Sequence, residues 1–543
     1  MQPTDQQELI LNYHESAVII AAPGSGKTFV ISEKIRVLLN VCPSYQGVIA
    51  ISYTNKASSE LKDRCLKNGH DPKSSFFGTM DKFYIGEIII PFGKHIWKRL
   101  GDDFSIPTIE TMDELEQQSL SWVNRDSSWD DVKDEQIEIL KSFFSKGIIP
   151  LETVGISANY IFNKSKACRN YLKARYVSIY IDEYQDCGAN QHSLFEQIVA
   201  LGITGVAVGD LNQSIYAFSG KSSKYLSALT GTVNFKTFKL DKNHRCDNSI
   251  INYSNYLLDP NIELIPVEKS MVKSFRITGS EPQIAEWIDK TIPKITAQNI
   301  KHNQIAILTR GNRTAELISQ NLKTSHRIIV TTDLDLSLAI WAGIFSNLLR
   351  FAFDPSFKFL DVIEDYVSFE KLNTRSRRAL VEGRDRVRVL FKEPNLNLVE
   401  ILKLFVSIAE QLAPNSKHQE SVILLTQVLN LKSQLEAYKP TSEQDLNIMT
   451  LHKSKGLEFD VVYHLDMHEW VFPSKAPGPN NDFNNPIYND YLQDLNLHYV
   501  GITRARKGCF LVSSTQRTNA RNTLSNGSDS EFLVKDGIEK LRA

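Results

Sequence analysis

Ala21-Ala22-Pro23-Gly24-Ser25-Gly26-Lys27-Thr28 lies between an apolar run, Ala17 to Ile20, and a helical pattern from Phe29 to about Leu39. A strand, a glycine loop and a helix N-terminus in that order make a phosphate cradle. Successive backbone N–H groups point at the anion, and the helix dipole adds partial positive charge. Gly24 and Gly26 let the backbone approach phosphate with no Cβ in the way. Lys27 can reach the outer phosphates, and the Thr28 hydroxyl can hold Mg²⁺. The general pattern G-x-x-x-x-G-K-[ST] opens on glycine; here that position is Ala21.

A second constellation follows Val177-Ser178-Ile179-Tyr180-Ile181, which reads as a buried parallel strand. It ends in Asp182-Glu183-Tyr184-Gln185-Asp186. Acidic residues at the carboxyl end of such a strand lie where α/β sheets bind ligands. Asp182 is expected to hold Mg²⁺ through water, and Glu183 to orient and deprotonate an attacking water. An isolated Asp-Glu pair is ordinarily a solvated turn; beside a phosphate loop it reads as hydrolytic machinery.

The elements that must carry these groups follow from length and patterning. A chain of 543 residues exceeds a single core. Hydrophobic content of 42% and charged content of 23% are those of a globular protein. With net charge −1, any nucleic-acid site must be a local basic and aromatic groove. The six cysteines are scattered with no C-x-x-C pair. That argues for a reducing compartment, expected to be the cytoplasm, and against a disulfide framework or zinc site. No apolar run reaches membrane-spanning length, and the polar N-terminus is not expected to act as a signal peptide.

Strands and helices alternate over residues 1–90, where Val48–Tyr53 reads as a strand and a helix follows from about Lys56. Strand signals thin over 91–170, return over 171–265, for instance at Val206–Val208, and restart over 266–350 at Ile305–Leu308 and Ile328–Val330. Residues 351–440 read as helices, among them Leu398–Leu412 and Val422–Tyr438, and 441–543 hold the strands Val461–Tyr463 and Phe510–Val512. The expected fold is α/β: two parallel-sheet lobes, each interrupted by a helical insertion.

Read together, the remaining blocks resemble the UvrD/Rep-like branch of superfamily 1 helicases, whose two RecA-like lobes hold ATP between them and single-stranded DNA across their top. Thr4-Asp5-Gln6-Gln7 is similar to the adenine-reading segment, with Gln7 at the better spacing. Ser52-Tyr53-Thr54-Asn55-Lys56-Ala57 and Gly78-Thr79-Met80-Asp81-Lys82-Phe83 resemble two DNA-contacting motifs, implying contacts through Tyr53, Thr54 and Thr79; the histidine common in the second is Asp81 here. Gly209-Asp210-Leu211-Asn212-Gln213-Ser214-Ile215-Tyr216 resembles the motif coupling nucleotide to DNA. There Gln213 would sense the γ-phosphate, and Phe218, where the family has tryptophan, would stack on a base. Ser219 replaces the family's arginine. Asn243-His244-Arg245 matches Asn-Tyr-Arg: Arg245 would reach the γ-phosphate, and His244 would face adenine opposite Phe29. Ile502-Thr503-Arg504-Ala505-Arg506 matches the motif whose arginine, here Arg504, acts as a finger. Met449 to Phe459 resembles T-x-H-x-x-K-G-L-E-[FW], implying DNA contact by His452 and ribose contact by Glu458. Gln493 to Val500 lacks the family's Glu-Glu-Arg-Arg run, so some inter-lobe salt bridges are expected to be missing.

Within that branch, Phe77–Phe83 with Glu87–Phe92, Ile179–Asp186 and Asn252–Asn255 together resemble the B subunits of Gabija antiphage systems. The resemblance implies an ATP- and Mg²⁺-dependent, DNA-stimulated motor or DNA-end sensor in a heteromeric assembly with a nuclease subunit. A stand-alone 3′-to-5′ repair helicase is a second reading, though the second insertion is short for it. A docking and sensing subunit that does not unwind DNA is a third.

Overall fold

The computed structural model describes residues 3–543 apart from 54, 68, 100–103, 125–126, 216–219, 330–331, 338, 356, 365–372, 394–395, 414–417, 441 and 520–521. Twelve strands build two six-stranded sheets, parallel throughout. The first contains β1 (Ala17–Ala21), β2 (Gly47–Ile51), β3 (Phe76–Gly78), β4 (Tyr176–Ile181), β5 (Thr204–Gly209) and β6 (Lys236–Leu240). Its order is β3-β2-β4-β5-β1-β6. β1 therefore runs between β5 and β6, with Ile19 opposite Val208 on one side and Phe238 on the other. β4 runs between β2 and β5. Strands flanked on both edges and covered on both faces must be apolar along their length, and Gly47–Ile51 is buried at every position.

Order has a consequence for chemistry. The carboxyl ends of β4, β5 and β1 lie side by side, so the segments following them, Asp182–Asp186, Asp210–Gln213 and Ala22–Gly26, emerge into one crevice. Helix α1 (Asp5–Leu11) precedes β1, and α2 (Lys27–Val41) follows the loop. α2 buries Ile31, Ile35 and Leu39 on one stripe at four-residue spacing. They join Ile19, Val48, Val206 and Val208 in the core of this lobe. Full burial of each such side chain is worth about 1.5–3 kcal/mol.

The second sheet contains β7 (Val272–Ile277), β8 (Ile305–Thr309), β9 (His326–Ile328), β10 (Leu446–Thr450) and β11 (Phe459–His464). A hairpin, β12 (Lys475–Gly478) and β13 (Asp482–Tyr488), precedes its last strand, β14 (Ala505–Ser514). The order is β7-β14-β11-β8-β10-β9, over a core that includes Ile288, Ile305, Ile307, Ile448 and Tyr463.

Two compact units divide the chain. Met1–Ile88, Phe162–Ile328 and Ser442–Ala543 form one, carrying both sheets; Ile89–Ile161 and Ile329–Thr441 form the other. Patterning alone divides the chain at 91–170 and 351–440. Residues 329–350 go with the helical unit because the helix Ile340–Phe353 buries Trp341, Phe345, Leu348 and Leu349 in a core with Leu380, Phe405 and Leu425. Leu398–Leu412 is one helix, whereas the helix expected over Val422–Tyr438 is two, Gln419–Asn430 and Lys432–Glu436, broken at Leu431. The strand expected to reach Val330 ends at Ile328 within the described residues. All six cysteines are free. Among the described residues no helix is long and apolar enough to cross a membrane.

Candidate nucleotide site

The loop after β1 turns twice through left-handed backbone, at Gly24 (φ 68°) and Gly26 (φ 86°). Both positions exclude a side chain for a second reason. A Cβ on Gly24 would stand 2.5 Å from Arg245 Cβ and Asn243 Oδ1, and one on Gly26 would stand 2.6 Å from Gln7 Nε2. The loop is braced from outside as well: Ala22 N–H donates to Leu240 O and His244 N–H to Gly24 O, each at 2.9 Å. Ser25 Oγ donates to Ala22 O at 2.7 Å. Gln7 Nε2 donates to Ser25 O at 3.0 Å while the Gln7 side chain and Thr4 close a capping box on α1. Lys34 of α2 donates to Ile10 O and Tyr13 O, at 2.8 and 2.5 Å, and so caps the C-terminal end of the helix that holds Gln7. Burial pushes the Lys34 ammonium down to about 8.

Lys27 heads α2 and lies 3.4 Å from Glu183 Oε1. Burial opposes its charge, yet Glu183, Asp210 and Asp182 together hold its ammonium above the ordinary lysine range. Asp182 directly follows β4 and accepts the Glu183 N–H at 2.9 Å. Glu183 sits in left-handed backbone (φ 55°), uncommon for a non-glycine residue. The two carboxyls are driven apart. Burial and the Glu183 charge raise Asp182. Burial also pushes Glu183 up, but Lys27 and Lys455 outweigh it and hold Glu183 low. Adjacent acids with opposed shifts can divide labour, one staying ionised as a base.

Glu183 opens a hydrogen-bonded chain that leads away from the loop. Gln185 Nε2 donates to Glu183 Oε2 at 2.5 Å, and Gln185 Oε1 accepts the Asp210 N–H at 3.0 Å. Gln213 Nε2 donates to Asp210 Oδ2 at 2.9 Å. Lys455 of the second lobe donates to Gln213 O at 2.5 Å and to Asp186 Oδ2 at 2.6 Å. The Lys455–Asp186 side chains are 8% and 1% exposed, so this pair is shielded from solvent. Burial, only partly relieved by Lys455, pushes the Asp186 carboxyl up to about 6. Neither Gln185 nor Lys455 is singled out by sequence reasoning, although Lys455 occupies the lysine of the T-x-H-x-x-K block.

The arginines face each other across the same cleft. Arg245 Nε lies 2.6 Å from Glu458 Oε2, and Glu458 also pairs with Arg506 at 3.3 Å. Arg504 is fully enclosed. Its Nε donates to Val500 O at 3.0 Å, Nη1 to Leu457 O at 3.1 Å and Nη2 to Thr503 Oγ1 at 3.3 Å. Burial and the nearby Arg245 charge push it down to about 10, and it feels Glu183 and Asp210. A lobe-to-lobe hydrogen bond, Asn496 Nδ2 to Ser214 O at 3.1 Å, flanks these groups, and Asp247 N–H donates to Arg506 O at 2.8 Å. Asn496 stands in the stretch without the family's charged run, so an amide joins the lobes there. His244 is exposed beside the loop. The structure thus gathers Gln7, the loop, Lys27, Asp182, Glu183, Gln213, Arg245, Glu458 and Arg504 around one crevice.

An AAA domain matches residues 6–219, and the UvrD-like helicase C-terminal domain matches residues 238–337 and 357–516. The chain belongs to the UvrD-like helicases. It is similar to the Gabija protein GajB of Bacillus cereus (strain VD045), 25% identical over 517 residues, covering 94% of this chain and 95% of that one. It is also similar to a probable DNA helicase II homolog of Mycoplasma genitalium, 24% identical over 594 aligned residues and covering 92% of this chain and 83% of that one. The ATP-dependent DNA helicase PcrA of Staphylococcus aureus is 22% identical over 616 aligned residues, covering 95% and 83%. This UvrD-like helicase is an ATP-hydrolysing enzyme of the DNA helicase type.

Its expected DNA contacts are less uniform than its nucleotide site. Tyr53 is half-buried, with the Lys221 ammonium 2.9 Å from its hydroxyl and 4.1 Å from its ring centroid. Thr79 caps the helix Met80–Phe83, accepting the Lys82 N–H at 3.4 Å. Burial, then Arg310 and Lys455, push the His452 imidazole down to about 4, so at neutral pH it is a neutral ring and not a cation. Thr54 and Phe218 lie outside the described residues.

Proposed function

We propose that this UvrD-like helicase is the DNA-responsive ATPase of a Gabija-type antiphage system, working in the cytoplasm beside a nuclease subunit. One observation carries the reading: the match to the Gabija protein spans 94% of this chain and 95% of the other, whereas the matches to the two helicases reach 83% of theirs. The chain from Glu183 through Gln185, Asp210 and Gln213 to Lys455 supports coupling, since it connects a hydrolytic acid to the block that carries His452.

In this reading the loop Ala22–Gly26 and Lys27 take the phosphates, Gln7 and His244 read adenine, and Glu458 meets the ribose. Glu183 takes the proton of the attacking water. Arg245 and Arg504 spread the developing charge. Gln213 relays the state of the γ-phosphate towards the strand held by Tyr53, Thr54, Thr79, Phe218 and His452. Thr28 and Asp182 fit Mg²⁺, which takes few protein oxygens and keeps phosphate and water ligands; Asp182 is a buried acid whose charge a dication would relieve.

Steady-state ATP hydrolysis is measured with and without DNA carrying ends, for the wild type and Lys27→Ala, alone and with the nuclease subunit. Strong DNA stimulation lost in Lys27→Ala, together with loss of phage protection, is expected. Full protection by Lys27→Ala would mean a scaffold. DNA unwinding and stimulation with no nuclease association would mean a stand-alone helicase.

A further inference from the structure

The helix Thr374–Leu390 holds six arginines and two acidic residues. Leu380, Gly383, Val387 and Leu390 form its buried stripe, and all six arginines are exposed. At about 100° per residue they fall into rows on either flank of that stripe. Arg375, Arg378 and Arg386 form one row; Arg377, Arg384 and Arg388 form the other. The first row is met by acids, Arg378 pairing with Glu382 and Arg386 with Glu400.

Two members of the second row border a cleft of about 540 Å³, inside the range of about 300–1,000 Å³ typical of ligand sites. Arg384 and Arg388 line it with Phe351, Phe357, Lys358 and Phe359. Phe351 and Phe359 are buried with centroids 5.1 Å apart and form an apolar floor, and half-buried Phe357 adds a third ring. The Arg388 guanidinium lies 4.4 Å from the Phe351 centroid, so its charge is already held over the floor. The acid in this lining, Asp385, is exposed and spent on Arg384 at 2.8 Å, a pair that a phosphate can displace at little cost.

Three cations over an aromatic floor suit a phosphodiester with its base. The phosphates take guanidinium and ammonium hydrogen bonds, and a base face stacks on the half-buried Phe357 ring or on an arginine plane. An acidic peptide would use the cations and leave the rings idle. The geometry points to a second DNA contact of this enzyme, outside its two sheets: the cleft seats a nucleotide of single-stranded DNA, with phosphates on Lys358, Arg384 and Arg388. This rests on the DNA-handling reading above and adds a site to it.

Fluorescence anisotropy of a labelled oligothymidylate against the full chain tests it, over a salt series, with a paired control. Arg384→Gln/Arg388→Gln is expected to weaken binding about tenfold and to lower the salt slope by about 1.4, the release expected for two phosphates of a single strand. Arg375→Gln/Arg378→Gln, the same charge change on the flank away from the cleft, is expected to leave both nearly unchanged. Photocross-linking of an iodouracil-substituted strand to the wild type, which needs no variant to fold, is expected to mark the peptide containing Phe357. Equal weakening by both pairs would reduce the cleft to diffuse charge and overturn the assignment. So would unchanged binding, absence of the cross-link, or thymidine monophosphate binding there as tightly as the strand. Hydrolysis without DNA is expected to stay at the wild-type rate in both variants. Loss of DNA stimulation in the wild type itself would instead strike the DNA-coupled reading and leave the cleft measurement readable.

Discussion

Removing Lys455 is expected to cost this UvrD-like helicase about 3 kcal/mol and most of its DNA stimulation. The size follows from two parts. Lys455 makes two short charge-assisted hydrogen bonds, to Asp186 Oδ2 at 2.6 Å and Gln213 O at 2.5 Å, and such bonds contribute roughly 1.5–3 kcal/mol net. The buried Asp186 carboxylate then loses its counter-charge. It cannot cost without limit, because it can take up a proton; with its folded value already near 6, protonating it at pH 7 adds only about 1.4 kcal/mol. The pH dependence has a fixed sign. A carboxyl raised above its unfolded value of 3.8 stabilises the fold below that pH, and this contribution is lost as pH rises through about 6. Without Lys455 the value climbs further, so the deficit of Lys455→Met against the wild type should be largest above pH 7 and shrink below pH 6. Thermal unfolding of Lys455→Met, Asp186→Asn and the double variant measures it, with an expected drop of about 3–4 °C for Lys455→Met at pH 7. Asp186→Asn should remove most of the effect of a subsequent Lys455→Met. A drop under about 2 °C, or the same drop on the Asp186→Asn background, would refute the buried-pair reasoning.

Glu183→Gln should slow phosphate release by about 10²–10⁴-fold while nucleotide binding persists, read by turnover against equilibrium binding of a fluorescent ATP analogue. Gly24→Ala places a Cβ 2.5 Å from Arg245 Cβ at φ 68°, so ATP affinity should fall at least about tenfold with about 1–3 kcal/mol of stability; wild-type affinity would contradict the bracing seen there. Lys34→Met uncaps the helix that holds Gln7 against Ser25, and KM for ATP should rise about three- to tenfold with kcat nearly kept; a fall in kcat at unchanged KM would show that the helix does not act through binding.

The parts legible in the sequence are those written locally. The phosphate loop needs only a strand, two glycines and a helix start in succession, and Ile179–Asp182 needs only an apolar run ending in acids, so a nucleotide-hydrolysing α/β site followed from them, and the helicase family from the remaining blocks read together. What stayed hidden depends on partners far along the chain. Lys455 meets Asp186 across 269 positions, and Gln185 meets Asp210 through a backbone N–H that no side-chain pattern announces. The left-handed turn at Glu183 leaves no mark on residue type. The apolar stretch Ile340–Phe353 looks alike whether it covers a sheet or fills a helical core; Trp341, Phe345 and Leu349 show the second only once Leu380 and Phe405 are seen beside them. The break at Leu431 carries no glycine or proline to signal it.

The order of the second sheet bears on how this protein is made. β8, finished at Thr309, has β11 and β10 as its neighbours, and neither is synthesised until after residue 445. For well over a hundred residues of elongation the central strand of that sheet has neither ladder to join, and the 113-residue tract Ile329–Thr441 of the helical unit emerges first. An apolar strand with both edges open is a template for wrong pairing. Production of the intact enzyme therefore depends on shielding β8 while the ribosome is still at work, and slowing translation before β10 prolongs that exposure.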